Sequence, residues 1–323
     1  MKFVGQLFFV IFSLSLAASQ LLAAENSDFE RKINECNLMV AEDKLQNALD
    51  LSAQLIKQNK TSRDAFACKG RAELALYQAT RAIDTFKQVN QLSTTLMDKV
   101  LARALLGNAY KANNQPLEAL ESYKQALELS KSMNSKGLER VSHELIASAL
   151  FWGEKNDEAL SEYQIALKLA QNDGERAKIF EHIAEILEHQ SKQDEAIEYQ
   201  IKASLAHTRY SDIDSQVNAQ LELGRMYINA KLFEQAKVTI DKVLKVAEGN
   251  SDYWEAKGNI YLAHLMFMTE KDKEATELLI KADKLNQKIN DKALNVLMQI
   301  VSSQQKLPSL EELKRMDAAF GNK

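Results

Sequence analysis

An alanine returns along this chain at near-regular intervals, and that recurrence limits the fold more than any other feature. Ala48, Ala82, Ala119, Ala159, Ala196, Ala236 and Ala275 lie 34, 37, 40, 37, 40 and 39 residues apart. Twelve positions before each stands another small residue: Cys36, Gly70, Gly107, Ala147, Ala184, Gly224 and Ala263. A period of this length is one helical hairpin repeated, here seven times, because a single hairpin cannot bury its apolar face without neighbours. Composition agrees: 2 Pro and 10 Gly in 323 residues are few, and no segment alternates as a strand would. The expected fold is all-α.

Residues 99–132, KVLARALLGNAYKANNQPLEALESYKQALELSKS, show one unit in full. Leu106, Gly107 and Tyr110 share a helical face, since offsets of three and four bring side chains together. Asn113, Asn114 and Pro116 break that helix, and Ala119, Tyr123 and Ala126 line one face of the next. This pattern resembles the tetratricopeptide repeat, with Leu-Gly-x-x-Tyr on the first helix and Ala-x-x-x-Phe on the second. Leu223, Gly224, Tyr227 and Ala236 match again; Ile146, Ala147 and Leu150 with Ala159 and Tyr163 match in softened form. The likeness covers about residues 28–290 and implies a right-handed α-solenoid of about seven hairpins. Two departures stand out. The closing proline is absent, with Lys131 or Gln171 in its place, and most units carry extra residues there. The longer units are similar to those of bacterial regulatory proteins and kinesin light chains. Ser27-x-x-Glu30 and Asp252-x-x-Glu255 read as capping boxes. A helix over Lys292–Gln304, a break at Pro308 and a short helix over Leu310–Phe320 would cover the last edge.

The first 24 residues have the parts of an export signal: Lys2, an apolar stretch from Phe3 to Leu16, and the small-residue end Leu22-Ala23-Ala24. Gly5, Gln6, Ser13, Ser15 and Ser19 interrupt the run, which suits a cleaved signal better than a span of about 20 apolar residues. The organisation expected is a signal over 1–24, a solenoid over 25–290 and capping helices over 291–323, with the mature chain periplasmic or secreted and free of integral membrane segments. Taking Lys2 from the 41 basic residues leaves 40 against 45 acidic ones, a net charge of −5. That balance offers nucleic acid no electrostatic attraction.

In tetratricopeptide proteins the first helix of each hairpin lines a concave surface. Carried onto this chain, the resemblance implies a groove beginning with Asp64, Arg71, Leu74, Ala104, Asn108 and Lys111. Glu144, Phe151, Trp152, Glu181, Glu185, Glu188 and His189 continue it, and Leu221, Arg225, Ile228, Asn229, Ile260, His264, Phe267 and Met268 end it. Phe151 and Trp152 are the expected anchor for a partner, because aromatic residues dominate binding hot spots; the alternative is that Trp152 packs as core. Glu181, Glu185 and Glu188 with Glu144 would make an acidic strip for a basic partner segment, or a solvated helix face. His182, Glu185 and His189 share a face but lack a fourth ligand, so no metal is expected. Some members clamp a C-terminal carboxylate with Lys and Asn. Here Arg71 stands between Asn37 and Asn108 at the Asn-type position, and Ile33, Ala67 and Ala104 replace the Lys, which argues against a chaperone-tail receptor.

Cys36 and Cys68 lie on the first helices of adjacent units, where an exported protein could bond them or bury them as thiols. No zinc-protease helix, phosphate loop, dinucleotide fingerprint or nucleophile elbow occurs, so neither an enzyme nor a cofactor is expected. The sequence reads as an exported scaffold that binds another protein or peptide in its groove. The alternatives are a sensor component of an envelope signalling or secretion system, and a small-molecule or metal-binding module.

Overall fold

The computed structural model describes residues 27–210, 213–303 and 307–308. The expected signal over 1–24 and the helix over Leu310–Phe320 lie outside the described residues. Among the described residues the chain forms helices and no strand. It divides into two compact units, up to Asn134 and from Ser135 onward.

The first unit holds three hairpins. A helix over residues 27–41 (α1) pairs with α2 (Leu45–Gln58), α3 (Arg63–Ala75) with α4 (Ala79–Leu92), and α5 (Leu96–Ala112) with α6 (Pro116–Ser132). The second unit holds four: α7 (Lys136–Trp152) with α8 (Asn156–Leu169), α9 (Asp173–His189) with α10 (Gln193–Tyr210), α11 (Ile213–Asn229) with α12 (Phe233–Ala247), and α13 (Asp252–Met268) with α14 (Asp272–Ile289). A last helix, α15 (Lys292–Ser302), packs on α13 and α14.

The recurring alanines explain the hairpins. All seven, from Ala48 to Ala275, are completely buried, and each sits where the second helix crosses the small residue of the first. The crossing is tight. A Cβ on Gly70 would stand 2.5 Å from the Phe86 ring, and one on Gly107 would stand 2.4 Å from the Tyr123 ring. Glycine at these two positions is therefore a steric requirement, and the aromatic ring four residues past the alanine fills the space that glycine leaves.

Each hairpin turns through one left-handed residue five positions before its alanine: Asp43, Tyr77, Asn114, Glu154, Ser191, Lys231 and Glu270, with φ from 56° to 60°. The next residue's N–H reaches back across the helix end, as Lys44 does to Met39 O at 2.8 Å and Lys271 to Met266 O at 2.9 Å. This is the Schellman closure, which satisfies carbonyls that a helix end leaves orphaned. It is built here without glycine, against the steric preference of that conformation. Several helices open on side-chain caps: Ser62 accepts from Ala65 N, Asn172 from Glu175 N and Ser251 from Trp254 N. The cap of α13 is thus Ser251, one residue before the expected Asp252, which lies inside the first turn.

Candidate functional site

In the first unit α3 carries Arg71 and α5 carries Asn108 and Lys111, all half-buried. Asn108 is tied to the fold, since its Oδ1 accepts the Tyr123 hydroxyl at 2.7 Å; burial pushes that phenol's pKa up. Arg71 Nη1 donates to Asn37 Oδ1 at 2.6 Å, across from α3 to α1. Burial lowers the Arg71 pKa, and the Asp64 charge opposes that shift. Cys36 and Cys68 are joined as a disulfide, Cα to Cα 6.2 Å, linking the same two helices.

In the second unit Phe151 and Trp152 end α7, both half-buried. The Phe151 ring meets His189 of α9 edge-on, centroids 5.6 Å apart. His182 stacks on Tyr163 at 5.2 Å, with its Nδ1 3.9 Å from Glu185. The two histidines of the triplet thus face different partners, and among the described residues no group of three ligating side chains suits a metal ion.

The carboxylates of the acidic strip are partnered from within. Glu144 pairs with Arg140, whose Nε also lies 3.2 Å from Glu175. Glu181 meets His207 Nε2 at 3.0 Å. Glu188 takes Arg225 Nη1 at 2.8 Å and Nη2 at 2.5 Å, and Asn229 Nδ2 approaches at 3.4 Å. Of the four carboxylates, Glu185 keeps the weakest partner, the His182 ring. A basic partner segment would have to displace these internal contacts.

The far end of the expected groove is corrected. Arg225 is 1% exposed and His264 2%, and Leu221, Ile228 and Ile260 are buried with them. None presents a surface to a partner: Leu221, Arg225 and Ile228 lie on α11, which packs against α13, and Ile260 and His264 lie on α13, which packs in turn against α14 and α15. Phe267 is half-buried against the same core, and only Met268 stays exposed. Burial lowers the His264 pKa to about 4.

Arg225 anchors a polar layer that the sequence reading missed. Its Nε donates to Glu222 Oε2 at 2.8 Å, beside the two bonds to Glu188. Tyr261 Oη donates to Glu222 Oε1 at 3.0 Å, and Lys257 Nζ lies 3.8 Å from that oxygen while donating to Asn218. Burial works against the charge on Arg225, but Glu222 and Glu188 outweigh it and raise its pKa. The one local signal was Glu222-x-x-Arg225 at helical spacing; Glu188, Lys257 and Tyr261 come from other hairpins.

Stacked hairpins interlocked by small residues, with first helices facing one way within each unit, define a helical-repeat protein. No protein-family model and no curated protein matches the sequence. Solved structures do align with it. The apo form of RapI shares 14% identity over 91% of this chain and 86% of that one, at a TM-score of 0.64. The apo quorum sensor NprR from B. thuringiensis shares 14% over 93% and 96%, at 0.57. A kinesin light chain from P. anserina with nearly identical TPR-like repeats shares 18% over 60% and 98%, at 0.53. The chain has the tetratricopeptide-repeat fold.

Proposed function

We propose that this chain is an exported, non-enzymatic scaffold that binds a protein or peptide on the first-helix face of its second unit. The observation that carries this reading is the edge-on contact of the half-buried Phe151 ring with the exposed His189 ring, drawn from two adjacent first helices, with the half-buried Trp152 next to Phe151 in the chain. Aromatic side chains that keep part of their surface open offer large contact area at small entropic cost. The carboxylates of the strip already have partners within the fold, which favours an apolar anchor over a basic partner segment. Likeness to RapI and to a quorum sensor supports a ligand-receiving solenoid by fold alone.

Export is part of the proposal: cleavage after Ala24 would place the mature chain in the periplasm or outside the cell. None of the described helices is long and apolar enough to cross a membrane. Mass spectrometry of the mature chain would return Glu25 as the first residue; an intact Met1 terminus would overturn this part.

The binding reading is tested by a photoreactive residue in place of Trp152, with a control at Val238, which is 52% exposed on α12. A discrete crosslinked protein from position 152, absent from position 238, supports it. Capture of nothing at 152 by a folded, exported chain would make Trp152 a packing residue.

A further inference from the structure

Arg71 and Arg225 occupy the same place in their hairpins, each directly after the tight-packing glycine, Gly70 or Gly224. Arg225 receives carboxylates from two positions: Glu222, two residues before its glycine, and Glu188, four residues after the small Ala184 of the preceding hairpin. At Arg71 the corresponding positions are Cys68 and Val40. One is consumed by the disulfide and the other is apolar, so neither neutralises the guanidinium. Among the described residues Arg71 makes no ion pair, and the neutral amide of Asn37 is its hydrogen-bond partner. Asp64 gives its Oδ1 to Arg63, with Nε at 3.0 Å.

Arg71 lines a cleft of about 590 Å³ between the ends of α1 and α3, a size suited to a small ligand. Asn34, Asn59 and Ser62 line it with neutral polar groups, Phe29 supplies an apolar wall, and Glu30 and Asp64 add two negative charges. A half-buried guanidinium that makes no direct ion pair, with Asp64 acting on it only through its charge, keeps N–H donors for an incoming carboxylate, which it can take through two parallel N–H bonds. The two acidic residues disfavour a dianion and match a positive group beside that carboxylate.

We infer that this cleft binds a free α-amino acid, its carboxylate on Arg71 and Asn37 and its ammonium toward Glu30 and Asp64. The disulfide between Cys36 and Cys68 holds the two walls in register before the ligand arrives, which reduces the ordering cost of binding. This site lies in the first unit and does not depend on the reading of Trp152.

Calorimetry on the full-length chain with its disulfide intact tests the inference, using L-leucine, succinate, and an alanine pentapeptide with a free or an amidated C-terminus. Saturable binding of L-leucine at millimolar concentrations or below, without binding of succinate, is expected. Arg71→Gln should weaken it at least about tenfold. Asn37→Asp places a carboxylate where Oδ1 now sits 2.6 Å from Arg71 Nη1; it should fold, resist heat at least as well as the native chain, and lose the ligand. That variant decides the matter if Arg71→Gln fails to fold. The inference is overturned if L-leucine does not bind, if its binding survives Asn37→Asp, or if the pentapeptide with a free carboxylate binds and L-leucine does not.

Discussion

The two units place an arginine at one and the same repeat position and treat it in opposite ways. In the second unit Arg225 is sealed, 1% exposed, and answered by Glu188 and Glu222. In the first, Arg71 is half-buried with an asparagine as its partner, and the positions that could have answered it hold a disulfide cysteine and a valine. The first unit is held at its end by a covalent link, the second by a buried ionic layer and by histidines. All 5 His and both Trp of the chain fall in the second unit. A fully desolvated charge must be paired to persist, whereas a half-solvated one can stay open for a ligand. The same residue type is thus a structural tie in one place and a candidate binding group in the other.

The contrast breaks most sharply at the two arginines themselves. Arg225→Ala strips the cation shared by the buried Glu222 and the half-buried Glu188 and should destabilise the second unit by about 3–5 kcal/mol. Arg71→Ala should change stability by no more than about 1 kcal/mol, because it removes a charge that makes no direct ion pair. Tryptophan fluorescence follows the second unit alone, since Trp152 and Trp254 both lie there. Urea melts in which the two variants shift equally would remove the distinction.

Next in size is the covalent link. Reducing Cys36–Cys68, which closes a separation of 32 residues, should cost the first unit about 2–4 kcal/mol. Tryptophan fluorescence should report the second unit melting as before while circular dichroism loses helix earlier. A parallel shift of both signals would mean that the units unfold as one.

Acid should act on the other side. His264 is neutral in the folded chain, its pKa lowered by burial to about 4, against about 6.5 when unfolded. Between those values the unfolded chain binds a proton that the folded ring refuses. Stability is therefore unaffected above about pH 6.5 and falls as pH drops toward 4, by up to about 3 kcal/mol. His264→Gln should flatten the fluorescence-detected melting temperature over that range; an unchanged pH slope would assign the loss to other groups.

The smallest effect belongs to the turns. Lys231→Gly relieves a left-handed non-glycine residue at φ 59° and should stabilise the second unit by about 1 kcal/mol or less, after the glycine's own entropy is set against it. A destabilised variant would show that the lysine side chain matters more than the backbone strain.

The hairpin signal was legible because it is local. Ala119 and Gly107 mark a crossing whose geometry follows from helical rise and turn length, so reading small residues twelve apart located the buried contacts. The seven left-handed turn residues were not legible. Asp43, Tyr77 and Glu154 have no composition in common, and their conformation is imposed by the helix end before them. At the candidate site the sequence brought Phe151 and Trp152 to the end of one helix, but not His189 against Phe151, which depends on how α9 lies beside α7. It also set Arg225 and His264 on the same nominal face as Arg71. Whether that face is open depends on which helices pack over it.

By itself, then, the sequence determined the repeat, the position of each hairpin, the buried alanine of every crossing and the proximity of Cys36 to Cys68 on neighbouring first helices. These follow from periodicity and side-chain size, which act within one or two turns of helix. Only the tertiary structure decided which polar side chains are sealed and which remain open. Arg225 meets Glu188 from 37 residues away and shares Glu222 with Tyr261, 39 residues further along. Charge burial is set by such contacts between hairpins, where the desolvation of one group is offset by a partner that no local pattern can supply.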